Sequence, residues 1–251
     1  MVVSLTMKVV IVLSIIAVAT IAVGVTFGVL QNSSPLSISR GLQVIPRANP
    51  ITYTVGDIDS VQSYIQDINN TLAEYDRTPD DTFIECNDTV RPKGKEVCIR
   101  NSSILKSCRP DINFGFEGKS PCVLLRLYLE DSFKPDPYQS LDDLPDDFPA
   151  DLRYDAERAV KEFGELPQGI WVDCSSNVNL LEPYSFFPDY FFDNIGAKNY
   201  MPPFIAVQFD LSNRIDDETV IECKAWAKNI NHDKDDFSKV SFTLYPKSSS
   251  N

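Results

Sequence analysis

The feature that most constrains this chain is an uncharged run from Val9 to Leu30, because every cysteine lies after it. Its 22 residues would span about 33 Å as a helix, enough for a hydrocarbon core of about 30 Å. A secretory signal needs a shorter apolar core and a small-residue cleavage site, whereas this run continues into Gln31 without one. We therefore predict a permanent transmembrane helix, a signal anchor, over residues 9–30 and a cytoplasmic tail at residues 1–8.

Cysteine chemistry, rather than charge, predicts the orientation of this span. Lys8 precedes the run while Arg40 and Arg47 follow it, so the positive-inside rule does not determine the orientation. An even set of cysteines is typical of disulfides formed in a secretory compartment, and N-x-Ser/Thr sequons beside them predict a glycoprotein. We therefore predict a single-pass type II protein of the plasma membrane with its C-terminal domain outside the cell. The cysteines are Cys86, Cys98, Cys108, Cys122, Cys174 and Cys223, and the predicted glycan sites are Asn69, Asn87 and Asn101.

The formal net charge of −13 argues against two classes of partner. A strongly acidic chain repels the phosphates of nucleic acids and the headgroups of anionic lipids. Acidity is densest between residues 142 and 151, where five aspartates lie. A calcium loop needs a glycine turn and regularly spaced oxygen ligands, which this run lacks. We predict a solvated acidic loop and no metal site.

Residues 31–80 are predicted to form an extracellular stalk and a helix. The segment 31–54 is rich in Ser, Pro and Gly, which is typical of an extended stalk. From residue 61 onward apolar positions recur at helical spacing, with Asp59 or Ser60 as N-cap and Pro79 closing the helix. Asn69 lies off this apolar stripe, so a glycan there could project into water. The stripe consists of Val61, Ile65, Ile68, Leu72 and Tyr75.

Residues 81–251 are predicted to form a disulfide-bonded, mainly-β domain. Three segments, at 123–129, 205–211 and 240–244, alternate apolar and polar residues with period two, as in strands covered on one face. Between the first two, residues 151–163 carry a helical stripe. We therefore predict an immunoglobulin-like β-sandwich with helical insertions. The stripe consists of Leu152, Ala156, Ala159 or Val160, and Phe163.

Two cysteines occupy core-facing positions in apolar strands. Cys174 shares a face with Ile170 and Val172, and Cys223 shares a face with Ile221. This pattern favours a bridge between two sheets, as in immunoglobulin-like folds. Six cysteines allow many connectivities, and the simplest is sequential. Loops of this length contribute about 3–4 kcal/mol each in the chain-entropy model, so we interpret the bridges as scaffold.

Four stretches together resemble the β subunit of the Na,K-ATPase and H,K-ATPase family. They are Gly41–Pro46, Gly118–Leu127 with Phe133–Pro135, Tyr200–Phe209 and Glu222–Ile230. The last is similar to the family's Glu-Cys-Lys-Ala-Tyr-Gly-x-Asn-Ile, with Trp226 and Ala227 in place of Tyr and Gly. The resemblance runs from about residue 9 to 245 and implies three sequential disulfides.

This resemblance implies a regulatory and chaperone subunit of a P-type cation pump. The partner would be the catalytic alpha subunit, which hydrolyses ATP. The β subunit would assist its folding, membrane delivery and K⁺ affinity. The transported pair, Na⁺ and K⁺ or H⁺ and K⁺, stays open. Thr20, Gly24 and Gly28 repeat every four residues of the predicted span, so a partner helix could pack closely there within the lipid bilayer.

No catalytic or cofactor-binding constellation is present in the sequence, and no small-molecule substrate is predicted. The single histidine, His232, lies in a polar stretch that indicates a surface loop. Two Asp-x-Asp stretches, at 57–59 and 233–235, fit the metal motif of type II Golgi glycosyltransferases, which is the enzymatic alternative. Neither ends an apolar strand, and the α/β alternation of a nucleotide-binding sheet is missing. An adhesion or receptor ectodomain acting without a pump is the other alternative, since a glycosylated sandwich serves adhesion equally well.

Overall fold

The computed structural model describes residues 40–76, 82–100, 105–181 and 186–249. The predicted tail, the predicted span with Thr20, Gly24 and Gly28, and the glycan site Asn101 lie outside these residues. Among the described residues, no helix combines the length and the apolar character needed to cross a membrane.

Short and long strands build two main sheets and one small one. The first sheet has four strands in the order β1-β5-β9-β7, the second has five in the order β2-β11-β10-β6-β8, and β3 pairs with β4. The strands are β1 Gly41–Ile45, β2 Ile51–Thr54, β3 Phe83–Ile84, β4 Val97–Cys98, β5 Cys122–Tyr128, β6 Gly169–Ser175, β7 Asn179–Leu180, β8 Phe186–Pro188, β9 Phe204–Asp210, β10 Thr219–Trp226 and β11 Lys239–Lys247. The helices are α1 Gln62–Tyr75 and α2 Ala150–Phe163.

The two main sheets enclose one apolar core, which makes the molecule a β-sandwich. Pairing is antiparallel except where β11 runs parallel to β2 and β3 parallel to β4. Phe209 of the four-stranded sheet meets Phe242 of the five-stranded sheet edge to face, with ring centroids 6.0 Å apart. The mainly-β architecture with helical insertions is therefore confirmed, and the period-two segments are β5, β9 and β11.

The predicted stalk differs from the structure over its described part. β1 lies in the four-stranded sheet and β2 in the five-stranded sheet, so the chain passes from one sheet to the other within a few residues. Leu42, Ile45 and Ile51 are buried in the core. The prolines at 46 and 50 lie in the connection between the two strands. Proline-rich composition here marks the connection rather than an extended stalk.

Helix α1 has the predicted apolar stripe, and all five of its residues are buried. The predicted N-caps are wrong: a 3₁₀ turn at Asp59–Val61 precedes the helix and Val61 occupies the cap position. The hydroxyl of Ser60 instead donates to the carbonyl of Asp57 at 2.7 Å. The helix ends at Tyr75, whereas Pro79 lies outside the described residues.

Helix α1 also covers the second face of the four-stranded sheet. On the face of β5 away from the core, Leu124 is fully buried and Arg126 is 7% exposed. Tyr75 of α1 packs against Phe204 of β9 on this face, with ring centroids 4.7 Å apart. The expectation of a single covered face is therefore wrong for β5, because α1 shields the other one.

Helix α2 packs on the outer face of the five-stranded sheet and creates a second apolar cluster. Leu152 and Ala156 contribute to it, as the stripe predicts. Phe163 does not, since it is 64% exposed at the last residue of the helix, before the left-handed Gly164. The cluster consists of Tyr138, Leu144, Phe148, Leu152, Ala156, Leu166, Trp171 and Trp226.

Candidate functional site

Three disulfides brace the sandwich, and no cysteine is free. Their pairing is the sequential one that the sequence favours. The first bond holds β4, the second anchors the start of β5, and the third joins β6 to β10. The pairs are Cys86–Cys98, Cys108–Cys122 and Cys174–Cys223.

The Cys174–Cys223 bond corrects the expectation of an inter-sheet bridge. Cys174 and Cys223 are direct partners in the β6–β10 register, with their Cα atoms 4.0 Å apart. Both strands belong to the five-stranded sheet. The predicted core-facing direction is correct, since both side chains are buried. Period-two spacing assigns a side chain to a face of its strand, but it carries no information about which sheet holds that strand.

The Tyr200–Phe209 stretch contributes a bracing amide. Gln208 of β9 is 9% exposed, and its Nε2 donates to the carbonyl of Ser120 at 3.0 Å. Its Oε1 accepts a hydrogen bond from the hydroxyl of Ser107 at 3.0 Å. Gln208 thus contacts both ends of the loop that the Cys108–Cys122 bond closes.

Arg126, from the Gly118–Leu127 stretch, joins a strand to a helix. Its guanidinium donates to Oε1 of Gln43 in β1 at 3.0 and 3.2 Å and pairs with Glu74 of α1 at 3.3 Å. The arginine is buried beneath α1 and the glutamate is half-exposed. The ion pair therefore holds α1 against the four-stranded sheet.

Sequence reasoning missed Arg100, whose guanidinium lies against the rings of Phe191 and Phe204. Its guanidinium is 4.9 Å from the ring centroid of Phe191 and donates to the carbonyl of Phe204 at 2.9 and 3.2 Å. Burial lowers the pKa of Arg100 to about 10, so it still carries its charge at neutral pH. Nearby, the hydroxyl of Tyr75 donates to the carbonyl of Pro202 at 2.6 Å, and burial raises the pKa of Tyr75 to about 12.

The Glu222–Ile230 stretch ends in a loop that packs on itself. His232 is half-buried there; its ring meets the Trp226 ring at 4.2 Å between centroids, and its Nε2 lies 2.9 Å from the carbonyl of Ala225. Asn229 accepts from the amide of Asp136 at 2.9 Å and donates to the carbonyl of Lys134 at 2.8 Å. These residues act as packing and bracing groups.

The two Asp-x-Asp stretches form local turns. Asp57 accepts from the amide of Asp59 at 3.0 Å, and Asp235 accepts from the amide of Asn231 at 2.7 Å. Within the described ranges, no set of three or more His, Cys, Asp or Glu side chains is placed to hold a metal ion. In the predicted acidic loop, Lys228 lies 2.8 Å from Asp143, and this contact holds the pKa of that carboxyl below its usual value.

Two predicted glycan sites lie on the described surface. Asn69 is exposed on α1, away from the buried stripe. Asn87 is exposed too, and its Oδ1 accepts from the amide and the hydroxyl of Thr89 at 2.9 and 2.8 Å. These bonds use the oxygen and not Nδ2, the atom to which a glycan would be attached.

The fold and these contacts define a class of protein: a disulfide-braced β-sandwich whose buried polar side chains hold strands, loops and helices in fixed positions. The family model for the sodium/potassium ATPase beta chain matches residues 10–242, and the chain belongs to this family. Beta chains are non-catalytic subunits, which agrees with the sequence prediction that this chain is not an enzyme.

Individual relatives agree with the family match. Sodium/potassium-transporting ATPase subunit beta-2 of Drosophila melanogaster is 31% identical over 156 residues, 57% of this chain and 46% of the relative. Subunit beta-1 of the same organism is 26% identical over 180 residues, 67% of this chain and 55% of the relative. Subunit beta-2 of Rhinella marina is 24% identical over 222 residues, 76% of this chain and 67% of the relative. The chain thus spans about half the length of the two Drosophila subunits, at 46% and 55%.

Proposed function

We propose that this chain is the non-catalytic beta subunit of a P-type cation pump, a sodium/potassium-transporting ATPase. Its role is to assist the folding and membrane delivery of the catalytic alpha subunit and to tune its affinity for K⁺. The single observation that carries the proposal is the family match over residues 10–242, which covers the apolar run after Val9 and all six paired cysteines.

The proposed topology is type II in the plasma membrane, with residues 9–30 as the span and the sandwich outside the cell. Six paired cysteines support an oxidising compartment for the described domain. The exposure of Asn69 and Asn87 supports glycans at these sites, and Asn101 is proposed as a third site.

The proposed mechanism is bracing. A rigid extracellular domain that contacts two states of the alpha subunit unequally shifts their populations by the difference in contact free energy. The internal crosslinks support such rigidity: three disulfides, the Arg126–Glu74 pair and the amide of Gln208 all restrain loops or helices against the sheets.

Co-expression of the full chain with a catalytic alpha subunit tests this function. We expect stoichiometric co-purification in mild detergent, more alpha subunit at the cell surface than without the chain, and ouabain-sensitive ATPase activity. The absence of both co-purification and increased surface delivery would contradict the proposal. Aggregation of cells that express the chain alone would then favour the adhesion alternative.

The proposed partner-packing face can be tested separately. Gly24→Leu places a bulky side chain on the face shared with Thr20 and Gly28, so recovery of the alpha subunit should fall. Ala22→Leu makes a similar small-to-large change on the opposite face of the proposed helix, so it serves as the control and should leave recovery unchanged. Equal recovery with both variants would contradict the packing face while leaving the family assignment intact.

Glycan attachment has its own matched control. Asn87→Gln destroys a sequon, so the variant should carry one glycan fewer. Endoglycosidase should therefore shift its gel mobility less than that of the unmodified chain. Asn70→Gln leaves the neighbouring Asn69 sequon intact and should not change the mobility. An unchanged pattern in the first variant would show that Asn87 carries no glycan.

A further inference from the structure

A cavity of about 580 Å³ lies where four described segments meet. Its walls come from Thr82, the turn before β4, the segment around Phe133 and the loop between Phe192 and Asn199. Hydrogen bonds tie these walls together: Asn194 donates to the carbonyl of Glu96 at 2.8 Å, and Asn199 donates to the hydroxyl of Thr82 at 3.1 Å. The cavity is thus built into the fold.

The charges that line this cavity are unusual for so acidic a chain. Three lysines line it, Lys95, Lys134 and Lys198, against two carboxylates, Asp131 and Asp193. Outside the lining, Arg91 is shared between Asp193 at 3.0 Å and Asp189 at 2.8 Å, and Nζ of Lys134 lies 4.0 Å from Asp193. The three lysines therefore outnumber the two carboxylates of the lining, although the whole chain carries a net charge of −13.

The surroundings of the cavity favour a small ligand over a protein segment. Its volume falls within the range of small-molecule sites, about 300–1,000 Å³. Protein-binding surfaces carry exposed aromatic and aliphatic side chains at their centre. None of the large, well-exposed hydrophobic residues of the described ranges lines the cavity; these are Val90, Ile112, Tyr154, Phe163, Leu181 and Val220.

We propose that this cavity binds a small oxyanion: a phosphate, sulfate or carboxylate group, free or carried on a molecule of about monosaccharide size. The three ammonium groups supply the attraction and the donors, and Asp131 opposes the anion. The buried side chains of Phe192 and Ile195 provide an apolar wall for the body of the ligand. This site is independent of the proposed pump partnership.

Isothermal titration calorimetry on the full chain in mild detergent tests the site. The probes are sodium phosphate, sodium sulfate and N-acetylneuraminic acid, each at constant ionic strength against chloride. We expect saturable binding of at least one probe. Tighter binding of the sugar acid would identify a carboxylate-bearing saccharide, and tighter binding of phosphate or sulfate would identify the tetrahedral anion.

Matched variants locate the binding. The Lys95→Gln, Lys198→Gln double variant should weaken binding about tenfold or more, because it removes two of the three ammonium groups. Asp131→Asn should tighten it, and Lys161→Gln, at an exposed position of helix α2, should leave it unchanged. Absence of saturable binding of any of the three probes to the unmodified chain, or equal binding by the double variant, would overturn the proposal. Near-UV circular dichroism of each variant verifies that the fold is retained.

Discussion

Cys174 and Cys223 face each other across two neighbouring strands of the five-stranded sheet, with their Cα atoms 4.0 Å apart and both side chains in the core. The bond joins strands whose cysteines are 49 positions apart in sequence. It therefore restrains the pairing of β6 with β10, two strands that are separated in sequence by β7, β8 and β9.

Loss of this disulfide should destabilise the sandwich more than loss of Cys86–Cys98, whose cysteines are 12 positions apart. In the chain-entropy model, Cys174→Ser with Cys223→Ser costs about 4 kcal/mol, and Cys86→Ser with Cys98→Ser about 3 kcal/mol. Denaturant unfolding of the full chain measures both, and surface delivery of a co-expressed alpha subunit should fall with the first pair. Normal stability and delivery of that double variant would contradict the scaffold role.

Arg126 should contribute more to the free energy of unfolding than an ordinary surface arginine does. Arg126→Leu removes the bonds to Gln43 and Glu74 from a buried position and should cost about 2 kcal/mol. Arg109→Leu is the control: Arg109 pairs with Asp111 at an exposed site, so its loss should cost under about 0.5 kcal/mol. Urea unfolding midpoints of the two variants measure these costs. Equal effects would show that the packing of α1 does not depend on this ion pair.

Ionisation of Asp173 and ionisation of Asp143 should change the stability of the fold in opposite directions. Burial raises the pKa of Asp173 above its usual value of 3.8, with Asp151 adding to the shift. Its ionisation therefore lowers stability progressively as pH rises above about 4. Asp173→Asn should raise the melting temperature at pH 7, and the gain should vanish near pH 3.

Asp143 serves as the opposite control in the same melting experiments. Lys228 lowers the pKa of Asp143 through a hydrogen bond, so its contribution to stability is present above the usual carboxyl pKa and is lost on acidification. Asp143→Asn should therefore lower the melting temperature at pH 7 and converge with the unmodified chain at acid pH. Shifts of the same sign in both variants would contradict this assignment.

Trp226 should be a principal stabilising residue of the second apolar cluster. Its ring packs against Phe148 at 5.5 Å and His232 at 4.2 Å between centroids. Trp226→Ala should cost about 3–5 kcal/mol, whereas Trp226→Tyr, which restores the residue that the resembled family carries, should cost under about 1.5 kcal/mol. Phe163→Ala, at an exposed position, should change the unfolding free energy little. A mild effect of the alanine variant would show that α2 packs independently of Trp226.

Several features of the fold could be predicted from short-range spacing. The stripe from Val61 to Tyr75 identified α1 and its buried face, and the alternation around Val207 and Phe242 identified strands and their core sides. Short strands escaped this reasoning: β1 and β2 are five and four residues long, and the prolines between them suggested a stalk. Arg100 escaped it as well, because nothing local to an arginine indicates that residues 191 and 204 will enclose it.

The sequence by itself determined the periods of the helices and strands, the inward direction of Cys174 and Cys223, and the family to which the chain belongs. These properties depend on the geometry of neighbouring residues, which repeats every 3.6 positions in a helix and every two in a strand. Only the tertiary structure decided that β6 lies beside β10, that α1 buries Arg126, and that three lysines meet at one cavity. Such contacts join residues far apart in the chain, and their partners are selected by the packing of the whole core.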